Sequence, residues 1–252
     1  MKYAFFIASF INDQRSENIL IECIKSIKDN CTISNDIYII NDNWDKKENI
    51  LKLIDTNNFK NVYVKNTPIK GCAFIYIIEY VQLLDKTYDY YINLHDTMTL
   101  LQPLPVLVKD CYYSWRFPKC WLINKKYLDL CLDLSKKIEL NINEKKFRDE
   151  FNTSNFWLMF GCSFIIKKEF LDIIYKTKFK NIFKFELNRW DRIALEYLLG
   201  YVFKNNFLEE NKWDAIEDKS WSEIKPTKKK IGDIIYNHVW DYKYFAKISL
   251  GR

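Results

Sequence analysis

An α/β fold, a mostly parallel central sheet flanked by helices, follows from three features of the 252-residue sequence. The first hundred residues alternate short apolar runs with amphipathic stretches, which is the βαβα rhythm of a parallel sheet. The runs are apolar throughout rather than at every second position, as strands covered on both faces require. No internal repeat and no Pro/Gly/Ser-rich linker divides the chain, so a single domain over residues 1–252 is expected.

The elements follow in order. Tyr3 to Phe10 is an unbroken apolar run of strand length, and Glu17 to Lys28 then sets Ile19, Leu20, Cys23, Ile24 and Ile27 on one helical face. Asp36 to Ile40 predicts a second strand, Trp44 to Ile54 a second helix, and Asn61 to Val64 a third strand. Residues 72–84 predict a third helix with Phe74, Ile77, Ile78 and Val81 inward, and Tyr88 to Leu94 a fourth strand. Beyond the turn at Pro103 to Pro105 the pattern loosens. Lys125 to Lys137 predicts a helix, residues 138–155 a loop or short helix, and Phe156 to Ile166 a strand interrupted at Gly161-Cys162. Lys168 to Lys176 and Asp191 to Phe203 are again helical, the latter starting at Asp191. An apolar and aromatic tail runs from Ile231 to Arg252.

Composition excludes some classes of function. The formal charge of +6, from 39 basic and 33 acidic residues, is too small and too dispersed for a nucleic-acid footprint. No nucleic-acid partner is expected. The basic run from Lys225 to Lys230 reads as a solvated loop. Seven cysteines without a CxxC pair or zinc spacing predict reduced, structural thiols and a cytoplasmic setting. The apolar opening runs into Asn12-Asp13-Gln14-Arg15 without a small-residue cleavage site, so it is expected to be a buried strand rather than a leader. No apolar run reaches the ~20 residues of a bilayer span, which leaves peripheral membrane contact as the form any association would take. No Walker motif, GxSxG elbow, GxGxxG fingerprint or HExxH is present.

Ligands of open α/β sheets sit at the carboxyl ends of the strands, which is where candidate residues are sought. The fourth strand runs into Asn93-Leu94-His95-Asp96-Thr97-Met98, and a carboxylate there is a hard oxygen donor suited to Mg²⁺ or Mn²⁺. Asp96 equally suits the turn that begins near Thr97. The second strand ends in Asn41-Asp42-Asn43, where Asp42 can accept a ribose hydroxyl and a base N–H or build an Asx turn. Asp191 is able to serve as a base and as an N-cap worth about 1 kcal/mol.

Two βα units, a short strand ending in Asp, a third βα unit and an apolar strand running into an acidic motif resemble the layout of GT-A glycosyltransferases. The resemblance implies a Rossmann-like GT-A domain whose nucleotide-sugar half is 1–100 and whose acceptor half, with the tail, is 101–252. It implies transfer of a sugar from a UDP- or GDP-sugar to a glycan or other hydroxyl acceptor, assisted by Mn²⁺ or Mg²⁺. The family's metal motif is Asp-x-Asp; this chain has His95-Asp96-Thr97. Asp96, His95 and, from the C-terminal segment, His238 are the implied metal ligands. Ala8, Ser9 and Phe10 correspond to the base-binding edge, Asp42 to the acidic residue that meets the nucleoside, and Gly71 to the backbone approach to the donor. Phe160-Gly161-Cys162-Ser163-Phe164 resembles the turn lining the acceptor side. Asn188-Arg189-Trp190-Asp191-Arg192 resembles the motif supplying the general base of an inverting enzyme, making Asp191 the catalytic candidate. Lys243, Lys247 and Arg252 would either close over the diphosphate or keep the tail soluble. Rival readings are a sugar nucleotidyltransferase and a non-catalytic module, derived from a transferase fold, that binds sugar or nucleic acid.

Overall fold

The computed structural model describes residues 1–104, 107, 111–113, 116–117, 125–152, 158–206, 227–231, 234–241 and 245–248. Its centre is a six-stranded sheet formed by β1 (Lys2–Ser9), β2 (Ser34–Asn41), β3 (Val62–Asn66), β4 (Tyr90–His95), β6 (Cys111–Tyr113) and β9 (Phe164–Ile166). The spatial order is β3-β2-β1-β4-β9-β6, with the first four strands parallel and β9 antiparallel to both of its neighbours. The expected α/β class, a mostly parallel sheet flanked by helices, is the observed one.

Alternation along β1 explains why its run is apolar on both faces. Tyr3, Phe5 and Ile7 point to one side, where Leu20, Cys23, Ile24 and Ile27 of helix α1 (Gln14–Asn30) and Ile50 and Ile54 of α2 (Lys47–Thr56) cover them. Ala4, Phe6 and Ala8 point to the other side, under α4 (Lys125–Lys137), α5 (Glu144–Phe151), α6 (Lys168–Lys176) and α7 (Arg189–Asn206). Phe5, Phe6 and Ile7 are wholly buried, each worth about 1.5–3 kcal/mol in transfer terms. Helix α1 starts earlier than its apolar face because Asp13 and Ser16 close a capping box: Ser16 N donates to Asp13 Oδ1 at 2.8 Å and Asp13 N to Ser16 Oγ at 3.1 Å.

Connections β1–α1–β2 and β2–α2–β3 both pass over the first face. The connection from β3 passes over the second face instead and delivers β4 to the other side of β1. The strand order therefore reverses between β1 and β4, and the carboxyl ends of these strands are where sheets of this kind have their ligand crevice.

Three segments differ from expectation. Residues 72–84 form turns and only one helical turn, α3 (Ile77–Tyr80), before a 3₁₀ turn at Val81–Leu83. Ile75, Tyr76, Ile77 and Ile78 are all buried, so the stretch has no polar face to offer solvent, and its β-branched and aromatic residues form helix weakly. Residues 138–155, expected as a loop or short helix, do contain the short helix α5, capped by Asn143, whose side chain accepts from Lys146 N at 2.9 Å. The strand expected over 156–166 splits into β8 (Leu158–Met159), which pairs with β7 (Arg116–Phe117), and β9. Positive φ values at Gly161 (61°) and Cys162 (49°) turn the chain between them.

The basic run expected as a solvated loop over Lys225–Lys230 is instead a strand from Thr227 on, with Lys228 and Lys230 still exposed, and the tail that follows continues as strands. β10 (Thr227–Ile231), β11 (Ile234–Asp241) and β12 (Phe245–Ile248) form an antiparallel sheet whose fourth strand is β5 (Met98–Leu100), immediately beyond β4. Lys247 stands opposite Met98, and Ile248 N donates to Thr97 O at 2.9 Å. Among the described residues no helix is long and apolar enough to cross a membrane.

Candidate functional site

The crevice between β1 and β4 is bridged by one carboxylate. Asp96, only 6% exposed, receives hydrogen bonds on Oδ2 from Ser9 Oγ at 3.2 Å and from Phe10 N at 3.0 Å, while its own N–H donates to Ala8 O at 2.9 Å. The structure thus brings Ala8, Ser9, Phe10 and Asp96 together. Phe10 carries its ring outward, 46% exposed, at the lip of the crevice.

Two charged side chains from distant segments converge on the same end of the sheet. Lys247 donates from Nζ to Thr97 Oγ1 at 2.6 Å. Burial lowers its pKa to about 8, opposed by Asp96 first and then by Glu196 and Cys23. Glu196, on α7, accepts from Gly161 N on Oε1 at 2.9 Å. Burial raises its pKa to about 8 against the pull of the Gly161 N–H, Lys247 and Arg192. Burial, and after it Asp96, also pushes the Cys23 thiol far up, so it stays protonated and inert. The result is an ammonium group, a carboxylate and an acid with near-neutral pKa around one crevice.

His95 adjoins this cluster through Gly161, whose N–H holds Glu196 and whose carbonyl meets the imidazole. Its Nε2 lies 2.6 Å from Gly161 O, and burial, then Lys247, pushes its pKa down to about 3. A neutral ring beside a carbonyl must carry its proton on Nε2 and donate it there. A Cβ at Gly161 would come within 2.9 Å of that nitrogen, and φ is +61°, so glycine is required at this contact. Asn93 adds a second clasp, donating from Nδ2 to Phe74 O and Cys162 O at 2.7 Å each, while its buried Oδ1 has no partner among the described residues. The turn at 160–163 is fastened to β4 by these two side chains.

Asp42 and Gly71 belong to a neighbouring loop. Asp42, 8% exposed, accepts on Oδ1 from Thr67 Oγ1 at 2.9 Å and from Ala73 N at 3.3 Å. Burial raises its pKa, countered by Thr67 and the N–H groups of Ala73, Gly71 and Cys72. Its carboxylate thereby closes the 67–73 loop. Gly71 has φ +85°, and a Cβ there would meet Leu187 O at 2.8 Å, so its backbone packs against Leu187.

Asp191 is engaged at the start of α7. Asn188 Oδ1 accepts from Trp190 N at 2.7 Å and Asp191 N at 3.0 Å, while Asp191 Oδ2 accepts from Asn188 N at 3.1 Å. The cap is Asn188 rather than Asp191, and the helix begins at Arg189. Five residues further along a helix is a rotation of about 140°, so Asp191 does not share the face of Glu196; Arg192, one turn before Glu196, does. His238 lies in β11 and its side chain, like Lys243 and Arg252, is outside the described residues.

Glu196 is the residue that sequence reasoning missed. Its signal was present: a lone carboxylate within Ile193 to Leu199, where Ala194, Leu195, Tyr197, Leu198 and Leu199 are buried. Among the described residues no group of three His, Cys, Asp or Glu side chains is placed to hold a metal ion. Asp96 already accepts two hydrogen bonds, His95 directs Nε2 at a carbonyl, and Lys247 adds a positive charge beside them. Of the implied ligands, those described do not fit a divalent cation.

No protein-family model matches the sequence, and no curated protein matches it. Among solved structures the chain is similar to core-mannan synthase A from Aspergillus fumigatus in its Mn/GDP form, at 12% identity and TM-score 0.41 over 79% of this chain and 69% of that one. It is similar to mouse xyloside xylosyltransferase 1 in its apo form at 8% identity and TM-score 0.39, over 79% of this chain and 81% of that one. The mannosyltransferase Ktr4p from S. cerevisiae in complex with GDP gives 12% identity and TM-score 0.41 over 77% and 65%. Likeness this distant says nothing of substrate.

Proposed function

We propose that the protein is a glycosyltransferase that moves a sugar from a nucleotide-diphosphate sugar, a UDP- or GDP-sugar, to a hydroxyl acceptor such as a glycan. The observation that carries this reading is the Asp96 carboxylate, which ties the ends of β1 and β4 together at the strand-order reversal and has an ammonium group and a high-pKa acid beside it. A diphosphate leaving group needs positive charge, and an attacking hydroxyl needs a base. The crevice offers both kinds of group.

Glu196 suits the base better than Asp191, whose carboxylate is spent on its own helix terminus. In an inverting transfer the acceptor oxygen would form its bond to the anomeric carbon as the bond to the diphosphate breaks. The acceptor proton would pass to the Glu196 carboxylate and the electron pair to the departing diphosphate oxygen. Ser9 and Phe10 line the donor side of the crevice; Asp42 and Gly71 shape the loop next to it.

Incubation with a panel of UDP- and GDP-sugars, followed by mass spectrometry of the products, tests the reading. Slow hydrolysis of a single donor would name the sugar. Neither turnover nor calorimetric binding across the panel would sink the transferase reading and leave the binding-module alternative.

A further inference from the structure

The GT-A resemblance brings a divalent cation with it, yet the described residues around Asp96 do not form a site for one. We propose that Lys247 supplies that charge: its ammonium, seated on Thr97 at the end of β4, is the group against which the donor diphosphate binds, and donor binding requires no divalent metal. The inference rests on the nucleotide-sugar reading and deepens it.

The position of the ammonium is set by backbone pairing. β12 runs antiparallel to β5, Lys247 stands opposite Met98, and the Ile248 N–H to Thr97 O bond fixes the register. A residue in the C-terminal sheet is thereby brought to within two positions of Asp96. Nζ then reaches Thr97 Oγ1 at 2.6 Å. An ammonium group has three N–H donors, so after Thr97 two are left for phosphate oxygens.

The oxygen donors are also those of a lysine site. Where the family's motif has a second carboxylate, His95-Asp96-Thr97 has an imidazole and a hydroxyl. The imidazole is committed through Nε2 to Gly161 O, and the hydroxyl is a neutral acceptor that suits an ammonium. Asp96 is the leading negative charge acting on Lys247, followed by Glu196. A divalent cation on Asp96 would sit beside an existing positive charge and compete with it for the same carboxylate. A lysine brings less charge than Mn²⁺, but it is already in place when the donor arrives.

Isothermal titration of UDP and GDP, once with excess EDTA and once with Mn²⁺, tests the assignment, with Mn²⁺ alone followed by electron paramagnetic resonance. Wild-type protein should bind its nucleotide with dissociation constants agreeing within about twofold in the two buffers, and should leave the free Mn²⁺ signal unchanged. Lys247→Met should weaken binding about tenfold or more in both buffers, and Lys247→Arg should retain most of it. Lys247→Asp should bind only with Mn²⁺, having exchanged the fixed cation for a metal ligand. Wild-type binding that needs Mn²⁺, or a Lys247→Met protein that is folded by thermal melt and binds unchanged, overturns the assignment while leaving the transferase reading intact. Absence of nucleotide binding in every buffer overturns both.

Discussion

Two carboxylates, one on the central sheet and one on α7, have opposite surroundings. Asp36, near the start of β2, is 3% exposed and accepts on Oδ2 from Tyr88 Oη at 2.5 Å, Lys2 Nζ at 3.0 Å and Lys86 Nζ at 3.3 Å. Burial would raise its pKa, but these partners hold it below the ordinary carboxylate range. Glu196, at the carboxyl end of the strands, accepts a hydrogen bond from Gly161 N, and burial pushes its pKa up to about 8. The first cluster is closed and saturated, so its charge stabilises the fold. The second holds groups away from their preferred protonation states, the arrangement expected where a ligand completes the site.

Substitutions can break this contrast. The largest effect is expected for Asp96→Asn, which keeps an oxygen for Ser9 and Phe10 but loses the charge. Nucleotide-sugar turnover should fall about 100-fold or more while the melting temperature hardly moves. Asp36→Ala should do the reverse, costing about 1–3 kcal/mol of stability, which is several degrees in a thermal melt, with donor affinity unchanged. Gly161→Ala should cost about 1–2 kcal/mol through its left-handed backbone and should displace His95, visible as a changed imidazole NMR signal.

The pH dependence sharpens the comparison because the two carboxyl groups slope in opposite directions. Asp36 has a depressed folded pKa, so its stabilisation is present above the unfolded value of 3.8 and is lost as the pH falls below it. Glu196 has a raised folded pKa. The folded state therefore binds the extra proton between the ordinary 4.5 and about 8, and stability declines as the pH rises through that window. Denaturant unfolding at stepped pH should show Glu196→Gln flattening the second slope and leaving the first. The smallest effect belongs to Asp191→Asn: a few tenths of a kcal/mol from the helix terminus, and turnover near wild type. Abolished turnover would return the base role to Asp191.

β1, β2 and β4 were legible because burial on both faces leaves an unbroken apolar run, and the position of Asp96 because it follows directly on the carboxyl end of such a run. What escaped reading depends on partners far away in sequence. Nothing local shows that 245–247 will pair with 98–100, so the cation at Thr97 was visible only as one of three basic residues in the tail. Asp42 and Asp191 illustrate a second limit. Each was weighed both as a turn or cap and as a functional group, and the side-chain chemistry fits both tasks; only the position of Thr67, Ala73 and Asn188 shows which hydrogen bonds are made. The 72–84 segment failed for a different reason, since a run buried all round has no periodicity to read.

Thr97 and the lysine bonded to it are 150 positions apart in the chain. During synthesis the sheet formed by β1 to β4 can collapse long before β12 leaves the ribosome. For that interval Asp96 has no lysine beside it. If the proposed role of Lys247 holds, the site is finished only when β12 pairs with β5, so a chain shortened before β12 should keep the core of the sheet and lose nucleotide binding.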